Sequence, residues 1–305
     1  MAEEIGRSLA GRIRFIHPKF FYDEAGSLLF EQITTLPEYY PTRSEMEILR
    51  SMRPGLAGFL QGDFALVELG SGSAKKTRLL LDLLAQRQET VEYYPIDISS
   101  IIKESSLRLQ RDYKNIKITG ILGQYENGLS FVKGIACRKV IAFLGSSIGN
   151  FSPSAASRLL KNIRLAMGPS DLLLLGLDLA KQRDVLESAY NDFAGITAKF
   201  NLNVLKRINT ELGGNFDLQN FEHLAFYNQS RRRIEMHLRS RQPQEITISS
   251  INLSFKLRRG ETILTEHSYK FTHGQIESMA RGAGLGVKGI WHDSRKFFAV
   301  ALLSP

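Results

Sequence analysis

The chain is poor in cysteine, in long apolar runs and in acidic charge. Cys137 is its only cysteine among 305 residues, which excludes an intrachain disulfide and any multi-cysteine metal site. No apolar run approaches the ~18 residues of a membrane helix. The N-terminal stretch through Phe15 also lacks the apolar core and small-residue cleavage site of a signal peptide. A soluble, cytoplasmic chain with no membrane partner is expected. There is no low-complexity tract and no repeat at a solenoid period of about 20–50 residues. Acid is in deficit: 40 Lys and Arg face 31 Asp and Glu, for a net charge of +9 and a pI near 9.6. Such an excess raises nucleic-acid binding. However, the strongest run is Arg231-Arg232-Arg233, and no basic stripe interleaved with aromatics, zinc finger, KH or RNP pattern is present. A solvated basic surface that helps to attract anionic ligands is expected, on a monomer without a nucleic-acid partner.

What is present is a hydrophobic content of 43%, enough for a sizeable core, arranged as strand alternating with helix. Phe64–Leu69 reads as a buried strand that ends in Gly70-Ser71-Gly72, and Leu79, Leu80, Leu83 and Leu84 then recur at helical spacing. Residues 92–97, 116–122, 139–144 and 171–177 read as further strands. Helices are expected over 99–113, 155–167 and 273–283. The nearly all-apolar 171–177 has the character of a central parallel strand covered on both faces. This alternation implies βαβ units and a doubly wound parallel sheet. After about residue 200 the pattern changes to a helix with alternating segments such as Ile246-Thr247-Ile248 and Ile251-Asn252-Leu253, which look antiparallel. Residues 286–291 and 297–302 close the chain as a hairpin.

The glycine turn carries the first functional signal. Glu68-Leu69-Gly70-Ser71-Gly72 follows a strand and opens a helix, where glycines let a ligand approach the backbone. Asp97 ends the next strand, a position from which a carboxylate accepts hydrogen bonds from ribose hydroxyls. A dinucleotide fingerprint needs a third glycine where Lys75 stands. Glu68 two residues before Gly70 instead fits the acidic-x-Gly-x-Gly motif of class I methyltransferases, since a carboxylate suits a cationic methionine moiety better than a pyrophosphate. The bound nucleoside is therefore expected to be S-adenosylmethionine.

Several segments are more specific. They are Phe21-Tyr22-Asp23, Gly26-Ser27, Leu29-Phe30 and Leu36-Pro37-Glu38-Tyr39-Tyr40-Pro41-Thr42-Arg43, then Tyr94-Pro95-Ile96-Asp97-Ile98-Ser99 and Phe143 to Phe151. Ala189-Tyr190-Asn191-Asp192, Phe216-Asp217, Ile234-Glu235-Met236 and Thr265-Glu266-His267-Ser268 follow. From about Pro18 onward the chain resembles the histidine-specific N-α-methyltransferases, which form hercynine for ergothioneine biosynthesis. The resemblance implies a class I methyltransferase (Rossmann-like) doubly wound α/β sheet over 44–182 and 271–305. A second, smaller α+β substrate-binding domain would be built from 1–43 and 183–270.

Carried over by position, the resemblance implies cofactor contacts at Tyr39, Gly70, Lys76 and Asp97. The family's Asp-Phe pair beside the adenine is replaced here by Gln124-Tyr125. Substrate contacts are implied at Asn150 and Tyr190 for the α-carboxylate, and at Glu266 and Ser268 for the imidazole. Tyr39, Met236, Phe30 and Tyr22 are implied to line the same pocket. Taken singly, Tyr39 and Tyr190 read as amphipathic core residues, Glu266 as a solvated strand face and Met236 as filler. Their joint occurrence in matching contexts favours the functional reading. Asn150 and Tyr190 are neutral donors suited to a carboxylate, while Glu266 and Ser268 can serve the two ring nitrogens. Tyr39 is expected to hydrogen-bond the reacting amine, and no metal is expected. The rival readings are methylation of another aromatic amino acid such as a tryptophan derivative, an RNA methyltransferase, and a non-catalytic S-adenosylmethionine-binding module.

Overall fold

Strands buried along their whole length need cover on both faces, and two such strands lie at the centre of this chain. The strands, in order, are β1 (Phe64–Leu69), β2 (Val91–Asp97), β3 (Ile116–Ile118), β4 (Ile121–Leu122), β5 (Arg138–Phe143), β6 (Leu172–Asp178), β7 (Phe221–Asn228), β8 (Arg233–Ser240), β9 (Gln244–Ile248), β10 (Leu253–Leu257), β11 (Thr262–Tyr269), β12 (Gly286–His292) and β13 (Phe298–Ser304). Every residue of β1 and β6 is buried. The computed structural model describes residues 1–305 and divides into two compact units. One is Pro41–Ala180 with Lys270–Pro305, and the other is Met1–Tyr40 with Lys181–Tyr269. The sequence-based borders lie one to three residues from these.

In the first unit the sheet order is β12-β13-β6-β5-β1-β2-β3, with β4 also beside β2. Strands β3, β2, β1, β5 and β6 are parallel, while β13 runs antiparallel to both β6 and β12. Helices Thr77–Ala85, Ile101–Asp112, Tyr125–Val132 and Pro153–Ala166 make the connections. This is the doubly wound α/β sheet of class I methyltransferases, closed by an antiparallel hairpin. Strand order reverses between β1 and β5, and ligands of such sheets bind at that switch, outside the carboxyl ends. The stretch 116–122 is not one strand. Gly120, a weak strand residue, lies between β3 and β4, which pair with different parts of β2.

The second unit has a three-stranded antiparallel sheet, β11-β8-β7, and a hairpin, β10-β9. Helix Ile196–Leu212 packs on strand β7 and on helix Glu24–Ile33. Its buried face carries Phe200, Asn201, Val204, Leu205, Ile208 and Leu212. Residues 251–253 are not one extended segment, because Asn252 adopts φ 48°, a conformation that asparagine tolerates, and turns β9 into β10. No helix is long and apolar enough to cross a membrane.

The first unit is interrupted by the long insertion after Ala180, and its two ends are fastened together inside the core. Asp178, the last residue of β6, accepts from Lys270 Nζ at 2.7 Å, with both side chains at most 1% exposed. Phe271 N donates to the Asp178 carbonyl at 2.8 Å, and Ala180 N to the Phe271 carbonyl at 2.9 Å. A buried ion stripped of its partner is strongly unfavourable. Lys270→Met is therefore expected to lower unfolding stability by about 3–5 kcal/mol, read from the urea midpoint at constant slope.

Candidate active site

The glycine turn is wound tightly at the carboxyl end of β1. Gly70 adopts φ 78° and Gly72 φ 49°, a region open to glycine at little cost. Gly70 N donates to the Ile96 carbonyl at 2.8 Å. The Asp97 carboxylate accepts from Gly72 N at 3.0 Å through Oδ2, and from Ser99 N at 2.8 Å through Oδ1. Burial pushes its pKa up, against backbone N–H groups that pull it down. Beside it Gly123 N donates to the Asp97 carbonyl at 2.9 Å. Gln124 follows at the N-cap of helix Tyr125–Val132 but bonds none of the helix's N–H groups with its side chain. The Tyr125 ring packs edge-on to Phe143, 5.3 Å between centroids, and its hydroxyl lies 3.1 Å from where a Gly70 Cβ would be. Burial raises the Tyr125 pKa, so it stays a neutral donor. Ile98 and Leu122 are exposed apolar residues, at 38% and 65%, and flank this rim. Sequence reasoning missed them because each reads as ordinary strand filler. An exposed apolar pair, a free amide and a carboxylate are the groups that an adenine and a ribose can use, so S-adenosylmethionine fits the residues present.

Glu68 lies elsewhere than expected. It is 3% exposed, and its Oε2 accepts from Thr77 Oγ1 at 2.6 Å and Tyr93 OH at 2.7 Å. The carboxyl thus ties the turn to helix Thr77–Ala85 and to β2, instead of lying open to a cationic ligand. Burial raises its pKa to about 7 against these hydrogen bonds. Lys76 pairs with Glu45 Oε2 at 2.5 Å and keeps 23% of its side chain exposed. Both Glu45 oxygens also accept from Gly145 N, at 2.8 and 2.9 Å. Gly145 and Ser146 then turn, at φ 74° and 57°, into the short 3-10 helix Ser147–Asn150, where Asn150 is half-buried.

In the other unit, Tyr22, Phe30 and Tyr39 meet in one aromatic cluster. Tyr22 and Phe30 lie 5.6 Å apart and Phe30 and Tyr39 6.2 Å apart, while Phe200 lies 5.8 Å from Tyr22 and 5.9 Å from Phe30. Phe193 N donates to Glu38 Oε1 at 3.3 Å, linking the turn after Tyr190 to the residue before Tyr39. On the sheet, Glu266 is paired opposite Met236, and Ser268 opposite Ile234. Period-two alternation therefore puts Glu266, Ser268 and Met236 on one face. The register slips between Leu264 and Glu266, so Thr265 is a bulge residue, and such a bulge re-aims the side chain beside it. His267 belongs to the opposite face with Tyr269, Glu235 and Arg233. Burial and the nearby Arg233 push its pKa down to about 4, which keeps it neutral near pH 7.

Comparison with known proteins decides the family. The description "Histidine-specific methyltransferase, SAM-dependent" matches residues 1–305. The chain belongs to this family. It is 41% identical over 286 residues to the histidine N-alpha-methyltransferase of Mycobacterium tuberculosis, covering 93% of this chain and 88% of that protein. It is 38% identical over 303 residues to the protein of the same name from Mycolicibacterium smegmatis, covering 99% and 94%. Ergothioneine biosynthesis protein 1 of Neurospora crassa is 33% identical, over 88% of this chain but 31% of that longer protein.

Within this histidine-specific methyltransferase, several motif residues have structural work of their own. Asp23 caps helix Glu24–Ile33 by accepting from Gly26 N at 2.7 Å, and it also accepts from Asn203 Nδ2 at 2.8 Å. Asp192 accepts from Ile196 N and Thr197 N, both at 2.8 Å. Glu68 is a third case, and its linkage can be measured. Its folded pKa lies above its ordinary value of 4.5. Its contribution to stability is therefore full below pH 4.5 and is lost as pH rises to about 7. Glu68→Gln removes that loss. The variant should gain on the order of 2 kcal/mol relative to the parent between those limits, in urea unfolding run across pH. A difference that does not change with pH would contradict this assignment.

Proposed function

We propose that this chain is an S-adenosylmethionine-dependent N-methyltransferase that trimethylates the α-amino group of L-histidine to hercynine, as in ergothioneine biosynthesis. The observation that carries this reading is its identity of 41% and 38%, over nearly the whole length, to two proteins named histidine N-alpha-methyltransferase. S-Adenosylmethionine supplies an electrophilic sulfonium methyl, which needs no metal and no covalent enzyme intermediate.

The chain's own residues bind and orient. Asp97 offers its remaining lone pairs to the ribose hydroxyls, and the Gln124 amide reads the adenine edge, with Tyr125 beside it over Gly70. Lys76 shares its ammonium between Glu45 and the cofactor's carboxylate. For the amino acid, Asn150 and Tyr190 donate to the α-carboxylate without a competing cation. Glu266 accepts from an imidazole N–H, and Ser268 serves the other ring nitrogen in either tautomer. Tyr22, Phe30 and Met236 supply the apolar wall. Tyr39 hydrogen-bonds the amine and directs its lone pair, so that proximity and orientation supply most of the rate. The incoming ammonium must first lose a proton, which costs about 1.4 kcal/mol for each unit by which its pKa exceeds the working pH. Water carries that proton away. A nitrogen pocket without tight donors lets the methylated amine turn for the next transfer.

A pocket built on polar contacts rejects analogues that lack them, because its buried groups go unpaired. Indole has one N–H and no ring acceptor, so the pairing of Glu266 with Ser268 favours histidine over a tryptophan derivative. Glu266→Ala is expected to weaken histidine binding at least about 30-fold, or ~2 kcal/mol, while S-adenosylhomocysteine affinity stays within about twofold. Calorimetry with each ligand separates the two. Parallel loss of both affinities would remove Glu266 from the amino-acid site.

A further inference from the structure

A fully partnered polar chain runs through the unit that carries Tyr190 and Glu266. Thr265, the bulge residue, is 1% exposed. Its hydroxyl donates to Asn201 Oδ1 at 2.6 Å, with the Met236 carbonyl at 3.1 Å. Asn201 is 0% exposed. Its amide nitrogen faces His223 Nδ1 at 2.9 Å and the His237 carbonyl at 3.0 Å. His223 Nε2 then faces the Tyr190 carbonyl at 2.8 Å. A carbonyl only accepts, so Nε2 carries the imidazole proton and Nδ1 accepts from the Asn201 amide. Every donor in the chain has an acceptor, and only the neutral Nε2–H tautomer satisfies all of them.

We propose that Asn201 and His223 are positioning residues that set the spacing between Tyr190 and Glu266, and thus the length of amino acid gripped at both ends. This rests on the reading above, in which Tyr190 takes the α-carboxylate and Glu266 the imidazole. One end of the chain holds the backbone of Tyr190. The other holds the extruded residue whose neighbour is Glu266. Apolar packing between helix Ile196–Leu212 and the sheet would tolerate sliding, whereas a satisfied buried network has one low-energy register. The segments it joins are far apart in sequence, so no local turn would otherwise relate them.

The charge state of His223 makes the chain testable. Helix Ile196–Leu212 presents the neutral Asn201 to it, and β8 presents Leu238 opposite. Burial lowers the His223 pKa, against the Tyr190 carbonyl and the charge of Asp192 in the turn after Tyr190, which both raise it. In the parent, protonation of His223 sets two donors face to face at Asn201 and breaks the chain. In Asn201→Asp the carboxylate accepts from Thr265 and from a protonated Nδ1, while the His237 carbonyl loses its donor at every pH, so the link to His223 re-forms only with the imidazolium.

The test is calorimetry of histidine and of S-adenosylhomocysteine binding to the full-length parent, Thr265→Val and Asn201→Asp, with parent turnover of histidine followed in parallel. Thr265→Val, nearly isosteric, is expected to weaken histidine about tenfold and to leave S-adenosylhomocysteine within about twofold. For Asn201→Asp, the ratio of its histidine dissociation constant to the parent's should fall from about tenfold to about threefold between about pH 8 and about pH 6, the remainder reflecting the unpaired His237 carbonyl. Titration of the ligand and of Glu266 cancels in that ratio. A Thr265→Val histidine constant within about twofold of the parent's, a pH-independent ratio, or parallel loss of both ligands would overturn the inference. If Asn201→Asp does not fold, Thr265→Val alone decides. An active parent with unaffected variants refutes the positioning role only, whereas a parent inert on histidine refutes the functional reading beneath it.

Discussion

A single buried carboxylate organises the rim on which the first unit depends. Glu45 has no exposed surface, and taking an ion out of water costs several kcal/mol. That cost is offset by Lys76 and by the Gly145 N–H, which meet the two oxygens at 2.5–2.9 Å. The sequence makes room for it. Within the leucine-rich β6, Gly176 stands where a Cβ would fall 2.1 Å from Glu45 Oε1. The same helix contributes Ser44, which donates to Asp293 Oδ2 at 3.1 Å, and Glu47, which accepts from Ser294 N at 2.7 Å. Asp293 in turn accepts from Phe297 N and Phe298 N, both at 2.8 Å, where the closing hairpin enters β13. The start of helix Thr77–Ala85, the turn leading to Asn150 and the base of the hairpin are thus all referred to helix Tyr40–Ser51.

Each unit uses the same device at a different scale. In the first, charge pairs hold segments that would otherwise separate: Glu45 of helix Tyr40–Ser51 with Lys76 at the start of helix Thr77–Ala85, and Asp178 at the end of β6 with Lys270. Lys139 and Asp171 form a third buried pair at 3.0 Å, and Asp171 also accepts from Lys139 N at 2.8 Å. In the second, neutral hydrogen bonds centred on Asn201 do this work. The difference follows from what is held. A turn at the end of parallel strands has free N–H groups to offer an anion, whereas an antiparallel sheet with a bulge has a single displaced hydroxyl and carbonyl to satisfy.

The parts of this architecture that sequence reveals are those whose physics is local. The apolar runs of β1 and β6, the glycine turn before helix Thr77–Ala85 and the closing hairpin all carry their periodicity within a dozen residues. Glu45 does not. In Thr42-Arg43-Ser44-Glu45-Met46-Glu47 it reads as one more solvated helix charge, because its acceptor role depends on Gly145, 100 residues away. Asn201 is hidden for the same reason, since Thr265 lies 64 residues on. The bulge is invisible to alternation, which carries Glu266 and Ser268 on one face with or without it. Glu68 was legible in type but not in direction. A motif tells which residue follows a strand, whereas the hydroxyls of Thr77 and Tyr93 decide where its carboxyl turns. The sequence likewise points to Asp97, and the resemblance to Lys76, without the partners that hold them, Gly72, Ser99 and Glu45.

The most direct measurement of the central claim is the mass of the products formed when the purified chain is incubated with S-adenosylmethionine and a panel of free amino acids. The account predicts successive one-, two- and three-methyl products from L-histidine, with tryptophan and the other amino acids left unmodified. Methylation of another amino acid in preference to histidine, or of none while S-adenosylmethionine still binds, would contradict it.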